Sequence, residues 1–206
     1  MRTKSWLVAS IMTIMTYVAP VTHSQELNAA TKNPLDLPAI NMANYSPWQR
    51  VEVSEYQPAE GDYLTVFIPT GKAYLANDIT NIYAEFPILS GQPRNVHYIG
   101  RYYFAATPEQ EWEVKSMDTK KDRVTFGKTG RFFRLYEDGN PTPYGIHGYK
   151  YAAKLIERGK IYASMGCVIV PEEVLNAIDA SFKADIKDMK VITTSDIQKI
   201  SNFIVI

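Results

Sequence analysis

From residue 61 onward, short apolar runs alternate with turns rich in Gly, Pro, Asn and Asp. Residues 63–69 (YLTVFIP), 79–89, 98–105, 131–136 and 189–194 combine β-branched and aromatic side chains between those turns, the pattern of half-buried strands. Two stretches break it. Residues 151–158 are helix formers closed by Gly159, and Pro171-Glu172-Glu173 opens a helix whose Val174, Leu175, Ile178 and Phe182 share an apolar face. The pattern predicts a mainly β, α+β fold with short helices. Residues 115–123 (KSMDTKKDR) are dense in charge and read as a solvated loop. Residues 25–60, rich in Asn, Pro and Ala, read as an extended lead-in to a single domain spanning 61–206 and not as a domain of their own.

The N-terminus reads differently. Arg2 and Lys4 precede an apolar run from Trp6 to Val21, and Thr22 and Ser24 occupy the −3 and −1 positions before Gln25. This is the layout of a cleavable signal peptide, residues 1–24, and predicts export to the periplasm or cell envelope. Threonines and Pro20 interrupt the run, which fits a retained membrane anchor less well. No cysteine follows the cleavage site to carry a lipid.

Composition removes several classes of partner. Twenty-two basic residues balance twenty-two acidic ones, so the chain has no electrostatic footprint for nucleic acid or an anionic membrane. The fourteen tyrosines fall largely in strand-like runs, where sheet packing is their expected role rather than sugar stacking. The chain has neither a metal-ligand spacing nor a phosphate loop, and no cofactor is expected.

One candidate chemistry remains. Cys167 is the single cysteine, and an exported protein that keeps one unpaired thiol is expected to use it. A thiol is a weak nucleophile until a base takes its proton, and imidazole is the usual base. His23 leaves with the signal segment and His97 reads as a structural residue at a strand entrance. His147, in Ile146-His147-Gly148, is therefore the candidate base. No acid adjoins it, and the Gly148 carbonyl is the economical group to orient its ring. Gly166 lets the backbone approach a substrate, and its amide with that of Cys167 is the expected oxyanion donor. The start of the helix after Cys167 is expected to favour the thiolate modestly.

His-Gly, then Ser164-Met165-Gly166-Cys167 followed by apolar residues, resembles the signature of the L,D-transpeptidase catalytic-domain family, secreted enzymes that act on peptidoglycan peptide stems. Residues 63–69, 72–77 and 86–91 (FPILSG) resemble further segments of that family, so the likeness covers roughly 61–194. It implies a β-sandwich fold, Cys167 as an acyl-forming nucleophile, His147 as proton acceptor and donor, and an oxyanion site at the amides around Gly166 and Cys167, with Gly148 the backbone partner of the histidine. Ser164 and Tyr144 are then implied at the substrate pocket. The resemblance implies transfer of a stem to an amine; an L,D-carboxypeptidase or peptidase on the same scaffold, or a non-catalytic wall-binding module, are the alternatives. Two positions depart from the family pattern. Ile169 stands where Arg or Asn is usual, and His97-Tyr98-Ile99-Gly100 replaces a Thr-Pro-x-Gly segment.

Overall fold

The structure is a computed structural model that describes residues 47–185 and 188–204. The expected signal segment and the first part of the lead-in lie outside the described residues. The strands are β1 (Gln49–Val51), β2 (Asp62–Phe67), β3 (Lys72–Asn77), β4 (Ile82–Pro87), β5 (Ser90–Gly91), β6 (Asn95–Tyr98), β7 (Arg101–Phe104), β8 (Gln110–Thr119), β9 (Arg131–Glu137), β10 (Asn140–His147), β11 (Tyr162–Ser164), β12 (Val168–Ile169) and β13 (Met189–Thr194). The helices are α1 (Ala152–Glu157) and α2 (Glu172–Ala184). Nine strands form one mixed sheet in the order β1-β4-β3-β2-β13-β8-β9-β10-β12. The fold is mainly β with short helices, as the apolar pattern predicts.

Strand alternation builds two cores. Leu64, Val66, Leu75, Val114, Phe133, Leu135, Ile146, Val168 and Val191 turn to one face, where Val174, Leu175 and Ile178 of α2 cover them. Tyr74 and Ala76 of β3 turn the other way, onto Tyr83, Ile200 and Phe203. Each fully buried large side chain contributes about 1.5–3 kcal/mol, so the α2 face dominates the stability of the sheet. Asp62 is buried beneath α2 and fully satisfied. It accepts from Tyr56 Oη at 2.9 Å, Asn77 Nδ2 at 2.8 Å, the Ala59 amide at 3.0 Å and Ser181 Oγ at 2.5 Å. One carboxylate thereby ties the lead-in, β3 and α2 together.

Two readings of the pattern change, and one strand lies outside the runs it marks. Residues 115–119 belong to β8, not to a loop: Trp112 and Val114 are buried, and charged Glu111, Glu113 and Lys115 alternate with them outward. Lys115 then pairs with Asp188 at 2.7 Å on the solvent side. The apolar stretch 98–105 is divided into a hairpin, because Ile99 and Gly100 adopt left-handed backbone angles (φ 50° and 71°) and turn β6 into β7. Residues 140–147 form a full strand, β10, whose register slips between Pro141 and Gly145. That strand ends at His147.

Candidate active site

The ladder between β10 and β12 decides what meets Cys167. The strands run parallel with Ile146 opposite Val168 and His147 opposite Ile169, and both Ile146 and Val168 point into the α2 core. Because side chains alternate, Gly145 and His147 face the other side of the sheet, together with Cys167 and Ile169. Cys167 immediately precedes β12, as Gly145 precedes the paired Ile146 of β10. The Gly145 backbone lies near enough to the sulfur to favour its ionised form.

His147 is buried, and its Nδ1 lies 2.6 Å from the Gly148 carbonyl oxygen. A carbonyl can only accept, so the contact places the ring hydrogen on Nδ1 and leaves the lone pair on Nε2. Phe126 and Phe132 flank the ring, with centroids 5.0 and 5.7 Å away. Burial pushes the imidazole below its usual pKa, while the Gly148 and Thr125 backbones favour the charged form and act in the opposite direction. At neutral pH the ring is an uncharged base.

The thiol is shifted the other way. Burial pushes Cys167 up to about 11, and the Gly145 amide and the Arg134 charge pull it back only in part. Both groups are therefore neutral at neutral pH.

Ser164 braces the loop that carries the sulfur. Its Oγ donates to the Cys167 carbonyl at 2.5 Å and accepts from the Gly166 amide at 3.1 Å. The Gly166 amide, expected as an oxyanion donor, is thus already engaged. Gly166 itself is held at φ 117°, and a Cβ there would stand 2.6 Å from the Tyr144 ring. Tyr144 lies over this glycine and packs on Trp112, with centroids 5.8 Å apart. Tyr103 Oη donates to the Met165 carbonyl at 3.0 Å, which fastens the β6–β7 hairpin to the same loop. Burial, then the charge of Cys167, raises both phenols.

The remaining expected residues fall away from the sulfur. Gly148 contributes its carbonyl to His147, and a Cβ on it would meet the Glu172 carboxylate at 2.8 Å. His97 is exposed in the hairpin and lies against Tyr102, with centroids 4.5 Å apart. Ile169 is buried against Leu89 and Ala152 and holds no substrate-facing position. The first turn of α2 carries Glu172 and Glu173, and its apolar residues pack into the core on the face of Ile146 and Val168.

Arg134 and Asp118 complete this face and were missed by the sequence reading. The available signal was the alternation of β9, which puts Phe133 and Leu135 in the core and Arg134 opposite it. Among the described residues no group of three His, Cys, Asp or Glu side chains could hold a metal ion. Two clefts of about 690 and 620 Å³ open along the start of α2, and Cys167 lines neither.

The chain is similar in fold to several L,D-transpeptidase catalytic domains. The L,D-transpeptidase from Xylanimonas cellulosilytica is 19% identical, with 68% of this chain and 66% of that one covered at a TM-score of 0.46. L,D-transpeptidase 3 from Mycobacterium tuberculosis is 12% identical, covering 65% and 61% at a TM-score of 0.43. The catalytic domain of the E. faecium L,D-transpeptidase, determined acylated by ertapenem, is 19% identical, covering 67% of this chain and 100% of that one at 0.41. The chain thus spans just under two thirds of the first two proteins. No protein-family model and no curated sequence matches it.

Proposed function

We propose that the protein is an exported, cysteine-dependent acyltransferase of the L,D-transpeptidase type acting on peptidoglycan peptide stems. The observation that carries this reading is the placement of Cys167 and His147 on one face of the β10–β12 ladder, with Nδ1 of the histidine committed to the Gly148 carbonyl. The motif resemblance supplies the substrate class, and the site geometry supports the chemistry without help from the distant fold similarities.

In this reading His147 Nε2 takes the thiol proton as Cys167 Sγ bonds to the stem carbonyl. The carbonyl oxygen becomes an oxyanion, received by the Cys167 amide because that of Gly166 already serves Ser164. The carbon–nitrogen bond then breaks, the imidazolium returns its proton to the leaving amine, and a thioester remains. An incoming amine gives transfer; water in its place gives an L,D-carboxypeptidase.

Incubation of the mature protein with muropeptide tetrapeptides, resolved by mass, tests the proposal. A cross-linked dimer, absent with Cys167→Ser, is the expected product. Shortened stems alone would replace the transferase with a hydrolase. Unchanged stems would overturn the enzyme reading in favour of a wall-binding module.

A further inference from the structure

Arg134 has no role in the chemistry derived above, yet its charge acts on the Cys167 thiol. On β9 it stands directly opposite Gly145, whose backbone acts on the Cys167 thiol. Gly145 adds no side chain between them. It could not carry one, because a Cβ would meet the Phe132 ring at 2.3 Å. The Arg134 charge is felt at the thiol, where it opposes the effect of burial.

The guanidinium is held but not consumed. Nη1 donates to the Thr142 carbonyl at 2.7 Å, Nη2 donates to Asp118 Oδ2 at 3.2 Å, and the group lies 5.1 Å above the Phe132 ring. A guanidinium carries five N–H donors, so these bonds leave about three unspent. The side chain is 26% exposed, open on the outer face of the sheet. Asp118 does not neutralise the site, because its carboxylate is shared with Lys120 at 2.9 Å, itself 5.3 Å from the Phe132 ring. Two cations therefore face one carboxylate. The other titratable neighbours, His147, Tyr103 and Tyr144, are neutral at rest, since the imidazole is lowered and the phenols are raised.

A fixed guanidinium with unspent donors beside a nucleophile matches the planar, two-oxygen geometry of a carboxylate. We propose that Arg134 anchors the substrate by binding a free carboxylate carried close to the carbonyl that Cys167 attacks. The ligand class is a peptide acyl donor with such a carboxylate, at its C-terminal residue or on the side chain of a diamino diacid. The proposal rests on the reading of Cys167 as the nucleophile. Ile169, buried against Leu89 and Ala152, offers no alternative anchor.

Alkylation of Cys167 by iodoacetate and by iodoacetamide tests this without requiring the true substrate. In both reactions the sulfur displaces iodide from the same carbon, so the thiolate fraction cancels in the ratio of rates and only the reagent's charge remains. Arg134→Met is expected to lower the iodoacetate-to-iodoacetamide ratio about tenfold, and Arg134→Lys to restore most of it. Asp118→Asn, which removes the competing anion, is expected to raise the ratio; a purely bracing role for Arg134 predicts no such gain. A ratio that stays within about twofold in all three variants overturns the proposal, as does a wild-type thiol that neither reagent reaches. Should Arg134→Met fail to fold, the Asp118→Asn and Arg134→Lys ratios decide alone. A wild-type protein that shows the charge dependence but converts no stem would leave the anchor standing and remove the functional reading instead.

Discussion

Ser164 Oγ and the Cys167 carbonyl lie 2.5 Å apart, and the same hydroxyl accepts the Gly166 amide. One buried side chain thus closes both ends of the loop that carries Cys167. Ser164→Ala is expected to destabilise the protein by about 1–3 kcal/mol, because the Gly166 amide loses its acceptor. In the enzyme reading it lowers kcat more than it raises KM. Urea titration beside steady-state kinetics checks this, and a variant with normal kcat and a raised KM would restore Ser164 to the substrate pocket.

The opposed shifts of Cys167 and His147 fix the pH behaviour. In the enzyme reading, activity needs the neutral imidazole, and its pKa is lowered from 6.5, so the acid limb of kcat/KM is expected below that pH. Folding favours the same neutral ring. Its contribution to stability is present above the unfolded value of 6.5 and is lost as pH falls through the lower folded value.

The thiol behaves in the mirror sense. Its pKa rises on folding from 9.0 to about 11, so its contribution is full below pH 9 and is lost as pH rises toward 11. The melting temperature of wild type is expected to fall more steeply across that window than that of Cys167→Ser. Parallel slopes for the two proteins would show that burial does not disfavour the thiolate.

Ile169→Arg is expected to unfold the protein rather than to change its products. The side chain packs against Leu89 and Ala152, where a guanidinium would be a buried charge without a partner, at a cost of about 3–5 kcal/mol. Ile169→Val is expected to cost about 0.5–1.5 kcal/mol. Thermal melting measures both; a stable arginine variant with altered products would put position 169 back at the substrate.

Gly166→Ala meets two separate obstacles, a backbone at φ 117° and a Cβ 2.6 Å from the Tyr144 ring. The backbone alone is expected to cost about 1–3 kcal/mol. Adding Tyr144→Ala should recover the part due to the clash and leave the part due to the backbone. Strict additivity of the two substitutions in a double-mutant cycle would show that the ring and residue 166 do not interact.

Local pattern was sufficient for much of this protein. The run of residues 189–194 is strand β13 with the same bounds, and the apolar stripe of Val174, Leu175 and Ile178 is the buried face of α2. Period and composition are properties of neighbouring residues, which is why they can be read along the chain. The singular Cys167 and the glycine after His147 likewise marked a candidate site, because residue chemistry needs no fold to be recognised.

Register could not be read that way. Whether residues 115–119 line a strand or a loop depended on the pairing of β8 with β9, which runs through Thr119. Arg134 lies thirty-three positions before Cys167 in the sequence, and only the pairing of β9 with β10, and of β10 with β12, brings them to one face. Ile169 and Cys167 share that face, yet one packs beneath α1 and the other borders Gly145. The sequence alone determined which residues could do chemistry and which segments could be strands. The tertiary structure decided which of them meet, because a one-residue change of register reverses every side chain in a strand.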